Sequence, residues 1–181
     1  MLVKKILSTI SLTLASISYA CAGLYGDLQA GDNKATVKEK LNSSALVRPK
    51  ANDNIFGNIG LDDSYQCKHK LAGLDFTLYF KWSGSGELLS VSLRSQQLSD
   101  EKAYQVELQT AWNDAVKLLS NSYGTAESAL TYPGVELLSE GKIVISHIWR
   151  QKEDPKKPGK TMLGVGKQND QYFLIIRFSD K

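Results

Sequence analysis

The sequence predicts an α+β fold made of two tandem units, each a helix followed by an antiparallel meander, with the helices packed on one face of an antiparallel sheet. Three observations support this. One long segment carries apolar residues at helical spacing, several short segments alternate apolar and polar residues, and glycine-rich turns separate the short segments. Because a helix precedes strands twice, residues 23–97 and 98–181 are expected to be copies of one unit.

The first helix is predicted over residues 31–44. Asp32 or Asn33 can serve as its N-cap, because short polar side chains accept hydrogen bonds from the first free backbone amides. Val37 and Leu41 lie one turn apart and would form its apolar side. A short amphipathic helix is therefore expected at the start of the first unit.

A longer helix is predicted between Ser99, as N-cap, and Gly124. Glycine directly after a helix supplies the left-handed conformation that commonly ends one. Seven apolar residues recur at helical spacing and predict one stripe that faces the core. They are Tyr104, Leu108, Ala111, Trp112, Ala115, Leu119 and Tyr123.

Six strands are predicted from alternation and bounding turns. They span residues 64–71, 74–82, 87–95, 142–151, 160–168 and 171–178, with a further brief strand at 55–56 inside a loop. In the second, Phe76, Leu78 and Phe80 alternate with Thr77 and Tyr79, so one face of the sheet is apolar and the other polar.

The first 22 residues have the parts of a cleavable secretory signal: two early lysines, an uncharged stretch, and small residues at its end. The uncharged stretch, residues 6–20, is shorter than the roughly 20 apolar residues that span a bilayer. Cleavage is expected after Ala22, or alternatively after Ala20. We therefore expect a single domain over residues 23–181, periplasmic or secreted, with no stable membrane span.

Two cysteines leave alternatives open. Cys21 could carry lipid in a bacterial lipoprotein, but Ser18 and Tyr19 precede it where an aliphatic and a small residue are usual. Cleavage after Ala22 would leave Cys67 alone, so no internal disulfide could form. Cys67 is then either buried in a strand or able to pair with another chain.

Charge excludes one class of partner. The whole chain has a formal net charge of +3, and because Lys4 and Lys5 lie in the signal, residues 23–181 carry about +1. This domain has no long run of lysine and arginine and lacks the strongly basic footprint of a nucleic-acid binder. We expect no nucleic-acid partner.

Catalytic motifs are not found. Residues 83–86, Ser-Gly-Ser-Gly, lack the outer glycines of a nucleophile elbow and join two strands. Gly159, Lys160 and Thr161 resemble the end of a phosphate-binding loop, but a strand follows them instead of a helix. Both segments are predicted to be turns. We expect a non-enzymatic protein with no catalytic residues, cofactor or metal.

One set of residues supports a different hypothesis. Cys67 and His69 are two positions apart on a predicted strand, and His147 on another strand could join them around zinc or as a thiol and base. A small enzyme or metal site at these three residues is the least favoured alternative, since a fourth ligand is not evident.

The polar face of the sheet carries the candidate partner-binding residues, because aromatic and arginine side chains are typical of binding hot spots. An equally open interpretation is that Trp149 lies in the core and the other side chains form a solvated surface. The candidates are Tyr79, Lys81, Arg94, His147, Trp149 and Arg177.

Several segments carry a resemblance of layout. Gly31-Asp32 with Val37 and Leu41, the hairpin from Phe80 to Leu88, and Tyr123-Gly124 lie where a repeated helix-and-meander unit has them. In this the chain resembles the beta-lactamase inhibitory protein and small envelope-assembly lipoproteins. Tyr65-Gln66-Cys67 is also similar to the opening strand of periplasmic lysozyme inhibitors.

The resemblance implies a non-enzymatic binder that holds another protein on its sheet face. We therefore expect a periplasmic inhibitor or immunity-type protein whose partner is a protein, such as a secreted enzyme or toxin. The alternative is an assembly or structural factor of the bacterial envelope.

Overall fold

A computed structural model describes residues 23–50, 61–151 and 157–180. The predicted signal at residues 1–22, including Cys21, lies outside the described residues. So does the brief strand predicted at 55–56.

The described elements follow the order helix, four strands, helix, four strands. The first half contains α1 (Lys34–Ser43), β1 (Val47–Pro49), β2 (Tyr65–Cys67), β3 (Phe76–Trp82) and β4 (Leu88–Ser95). The second half begins with one long helix, made of α2 (Glu101–Ala103), a π-helical segment (Tyr104–Leu108) and α3 (Gln109–Tyr123). It continues with β5 (Ser128–Ala129), a 3-10 turn (Val135–Leu137), β6 (Ile143–Arg150), β7 (Lys160–Gln168) and β8 (Gln171–Ser179).

All eight strands form one sheet in the order β1-β2-β3-β4-β8-β7-β6-β5, and every pairing is antiparallel. Strands β4 and β8 meet in the middle, so the two halves of the chain contribute the two halves of the sheet. This confirms an α+β fold with an antiparallel sheet and two helices.

Helix α1 begins after Asn33, whose side-chain oxygen accepts a hydrogen bond from the backbone N–H of Thr36 at 3.0 Å. Of the two predicted caps, Asn33 is therefore the one used. Asp32 instead binds the ammonium group of Lys40 at 2.7 Å and so ties the entry of the helix to its last turn.

The long helix begins one residue later than predicted. Asp100, and not Ser99, is its N-cap, because the Asp100 carboxylate accepts the backbone N–H of Ala103 at 2.7 Å. A carboxylate here also interacts favourably with the partial positive charge of the helix start. The helix ends at Gly124, which has a φ of 79° that favours glycine, as predicted.

The strands match the predictions in the second half more closely than in the first. The predicted strand at 64–71 is only Tyr65–Cys67, because the exposed residues that follow it form a bend and a turn. The short strands β1 and β5 were not predicted; each lies at an edge of the sheet and, with three and two residues, is too short to show an alternating pattern.

The core lies between the helices and one face of the sheet. The predicted stripe of the long helix is buried there, with Leu108, Ala111 and Ala115 fully covered. Val37 and Leu41 of α1 are buried as well. Among the described residues, no helix is both long and apolar enough to cross a membrane.

Candidate functional site

Both helices pack on the same face of the sheet. The Tyr65 hydroxyl of β2 donates to Asn42 at the end of α1 at 2.7 Å, and the Trp112 ring nitrogen of the long helix donates to Ser146 of β6 at 2.8 Å. Strand register places Tyr65 and the buried Leu163 on this face. We call it the helix face and the opposite side the open face.

The open face is defined by rows of side chains that cross the sheet. One row of aligned residues runs across the sheet from β3 to β6. A second row runs parallel to it, two residues further along β3 and β6. The first row is Tyr79, Ser92, Arg177, Met162 and Ile148. The second is Lys81, Ser90, Ser179, Lys160 and Arg150.

Arg94 and Phe173 form a stack at the centre of the open face. The Arg94 guanidinium lies 3.6 Å from the centroid of the Phe173 ring, a cation–π geometry. The ring lies over Gly166, where a Cβ atom would come within 2.4 Å of it, so only glycine leaves room for this arrangement. The Arg94 guanidinium is therefore half-buried and lies against the flat, apolar face of the Phe173 ring.

The Arg94 guanidinium is held at one of its ends only. Its Nη1 donates to the Gln168 side-chain oxygen at 2.8 Å, while its buried Nη2 has no hydrogen-bond partner among the described residues. Burial lowers the pKa of Arg94 from its ordinary value, an effect that Tyr79 and Asp63 oppose by attraction. Arginine remains charged even so.

Arg177 lies beside this stack. Its Nε donates to the Ser92 hydroxyl at 3.2 Å, which orients the side chain across β4 toward Tyr79. Burial, followed by the negative charge of Asp63, raises the pKa of the Tyr79 hydroxyl, so the hydroxyl stays protonated and can donate a hydrogen bond.

Two cavities open on this face. One of about 270 Å³ is bordered by cationic and apolar side chains, among them Arg94, Arg177, Phe173, Ile143 and Ile175. The other, of about 390 Å³, is bordered by Lys81, Leu89, Met162 and Arg177 together with residues of other segments. Arg177 borders both cavities, which are therefore neighbours, and we call the two together the recess.

An apolar region of the open face was not predicted. Ile148, Met162 and the half-buried Ile145 lie toward β6, beside the exposed Ile143, and Ile175 lies at the centre. The predicted polar character of this face holds for β3 and β4 and fails for β6 to β8. A continuous run of apolar residues indicates a strand that is apolar on both of its faces. Such a run is the sequence signal that could have revealed this apolar region.

Comparisons with known proteins add no relative. No family model, curated protein or solved structure matches this chain.

Four of the six predicted site residues lie together on the open face. Tyr79, Arg94 and Arg177 border the recess at its centre, and Lys81 borders it at the end of β3. The exposed fraction is highest at Lys81, whereas the other three side chains are half-buried.

The placement predicted for His147 and Trp149 is wrong. Both are buried on the helix face, at 6% and 0% exposure. The two rings stack on each other with centroids 5.4 Å apart, and the Trp112 ring meets His147 edge-on at 5.3 Å. The cause is a β-bulge between Ile145 and His147, which adds one residue and reverses the alternation beyond it.

The alternative site at Cys67, His69 and His147 is also wrong. Cys67 is buried in β2 on the helix face, with its sulfur 3.4 Å from the Tyr25 hydroxyl, and burial raises its thiol pKa. His69 is exposed beyond the end of β2, and four strands separate β2 from the strand of His147. The described residues contain no group of three His, Cys, Asp or Glu side chains placed to hold a metal.

The first motif-like segment is a turn, as predicted, whereas the prediction of a turn at Lys160 and Thr161 is wrong. Residues 83–86 form a tight turn between β3 and β4, in which the Ser83 and Ser85 hydroxyls bond each other at 2.8 Å. Lys160 and Thr161 begin β7. The Thr161 side chain is buried on the helix face, which removes it from any phosphate.

Proposed function

We propose that this chain is an exported, non-enzymatic protein-binding module, an inhibitor or immunity-type protein that holds its partner on the open face. One observation carries the proposal. The open face combines Arg94 and Arg177, Tyr79, and a flanking apolar region around a central recess. Arginine and tyrosine next to buried apolar side chains are the usual composition of interface hot spots.

The fixed position of these side chains supports binding without reorganisation. Arg94 is held by Phe173 and Gln168, and Arg177 is held by Ser92. A side chain that is already ordered loses little conformational entropy when a partner covers it, so more of the contact energy appears as affinity.

We also infer that the two halves of the chain are copies of one helix-and-meander unit. The order helix then four strands occurs twice, and the strand order on each side of the β4–β8 pair runs outward from the last strand to the first. This layout resembles the one expected for the beta-lactamase inhibitory protein, and the resemblance supports a binder of the same kind.

The experiment is affinity capture of the tagged protein from bacterial periplasm and from the culture medium of neighbouring species, followed by mass spectrometry. Arg94→Ala/Arg177→Ala is compared with Lys38→Ala/Lys102→Ala, which removes the same charge from exposed positions on the helices. A stoichiometric hydrolase or toxin that the first variant loses and the second retains is the expected result.

Two outcomes would contradict the proposal. Equal capture of the partner by both variants would show that the binding surface lies outside the open face. Recovery of outer-membrane assembly machinery alone would favour an envelope assembly factor in place of an inhibitor.

A further inference from the structure

The strands of this sheet carry no carboxylate. None of the residues in β1 to β8 is Asp or Glu, whereas six cationic side chains occupy open-face positions of the register. They are Arg48, Lys81, Arg94, Arg150, Lys160 and Arg177. The strand positions of the open face therefore carry one sign of charge, while Glu87 and Asp180 border the cavity of about 390 Å³ beside Lys81.

Three of the carboxylates at the rim of the face are already engaged. Asp63 binds the ammonium group of Lys50 at 2.6 Å, and Glu127 binds Arg150 at 2.6 Å. Asp62 accepts the backbone N–H of Phe80 at 2.6 Å. Asp63 also attracts Arg94, but its ion pair is with Lys50.

Four cations of the open face are left without an ion pair in the part of the chain that the structure describes. Within residues 23–50, 61–151 and 157–180, no ion pair involves Lys81, Arg94, Lys160 or Arg177. Arg94 also keeps its buried Nη2 without an acceptor, although a buried donor left unpaired normally costs free energy. A guanidinium is best matched by a carboxylate, whose two oxygens accept parallel hydrogen bonds.

The recess beside these cations has an apolar part. Phe173, Ile175 and Ile143 border the same cavity of about 270 Å³ as Arg94 and Arg177. A ligand that fills it must place an apolar group within a few ångströms of a negative one. Acidic protein segments have this pairing, since Asp or Glu alternates easily with Leu, Ile or Phe along a chain.

We propose that the partner presents an acidic segment, in which Asp or Glu side chains contact Arg94 and Arg177 and a neighbouring apolar side chain fills the recess at Phe173. This inference rests on the proposed protein-binding function and specifies its chemistry. Nucleic acid is less well matched, because residues 23–181 carry only about +1 net charge and branched aliphatic side chains border the recess.

The test is selection of a displayed random peptide library on the purified protein. Arg94→Gln/Arg177→Gln and the control Lys38→Gln/Lys102→Gln are selected in parallel, after circular dichroism and thermal unfolding establish that each variant folds. The wild type and the control should enrich peptides that combine Asp or Glu with an apolar residue, and the open-face variant should not.

The dissociation constant of one enriched peptide is then measured for each protein. The peptide should bind the open-face variant about 10- to 100-fold more weakly than the wild type, the loss expected for charged hydrogen bonds. The same peptide with its acidic residues changed to Asn and Gln should bind the wild type as weakly.

Failure of this inference and failure of the proposed function give different results. Enriched peptides without acidic residues, lost by the open-face variant, would overturn the acidic partner and leave protein binding at this face intact. Peptides that bind all three proteins equally, or no enrichment, would overturn both. Tighter binding of a labelled single-stranded oligothymidylate than of any peptide, again lost by the variant, would assign the face to nucleic acid.

Discussion

Replacement of Trp149 by alanine tests whether this side chain belongs to the core. Trp149 is fully buried, stacks on His147, and donates its ring N–H to the Gly124 carbonyl oxygen at 3.1 Å. A tryptophan buries up to about 250 Å², which at roughly 25 cal/mol per Å² corresponds to an upper value of about 6 kcal/mol. Truncations of this kind cost about 3–5 kcal/mol, and the Gly124 carbonyl would also lose its donor.

A loss of that size is a large fraction of the 5–15 kcal/mol typical of a domain. The free energy of unfolding is measured in urea by far-ultraviolet circular dichroism, which does not depend on the removed indole. The matched control is Trp82→Ala at the half-buried end of β3, where the ring touches Phe80 and Lys34 and the expected cost is about 1 kcal/mol. A cost below about 1 kcal/mol for Trp149→Ala, or one no larger than for Trp82→Ala, would refute the core assignment.

Two further predictions follow from single contacts. Burial lowers the pKa of His147 in the folded protein. Below about pH 6.5, the ordinary pKa of histidine, the unfolded chain therefore binds more protons than the folded protein. The free energy of unfolding thus falls as the pH decreases through that value. His147→Phe should remove this part of the pH dependence in urea unfolding measured from pH 8 to pH 5, and parallel curves for the two proteins throughout would contradict it. Asp100→Ala should cost about 1 kcal/mol of unfolding free energy through loss of the cap, while Ser99→Ala should cost only a few tenths; a loss for Ser99→Ala as large as that for Asp100→Ala would contradict the assignment of Asp100 as the cap.

The helix and strand patterns could be predicted because they depend on local spacing. The stripe of the long helix is buried as its spacing indicates, and Phe76, Leu78 and Phe80 are buried on one face of β3 as their alternation indicates. The predicted strands 160–168 and 171–178 leave only Asn169 and Asp170 between them, and both residues have the positive φ of a tight hairpin turn.

The site was only partly predictable, because alternation assigns a face only while the register is unbroken. Along β6, Ile145, His147 and Trp149 are two residues apart, so unbroken alternation would place them on one face. The bulge before His147 places Ile145 on the open face and the other two on the helix face. A bulge leaves no mark in the spacing of apolar residues, since both faces of this strand carry them.

The sequence by itself determined the class of elements, their order, most of their limits and the positions of the arginines. Each of these depends on residues close together in the chain. Only the tertiary structure decided which face the helices cover, and so which side chains stay open. Arg94, Phe173 and Gly166 come from three different strands, and the pairing of β4 with β8 and of β8 with β7 brings them into one stack. Such contacts depend on strand order and register, which local spacing does not encode.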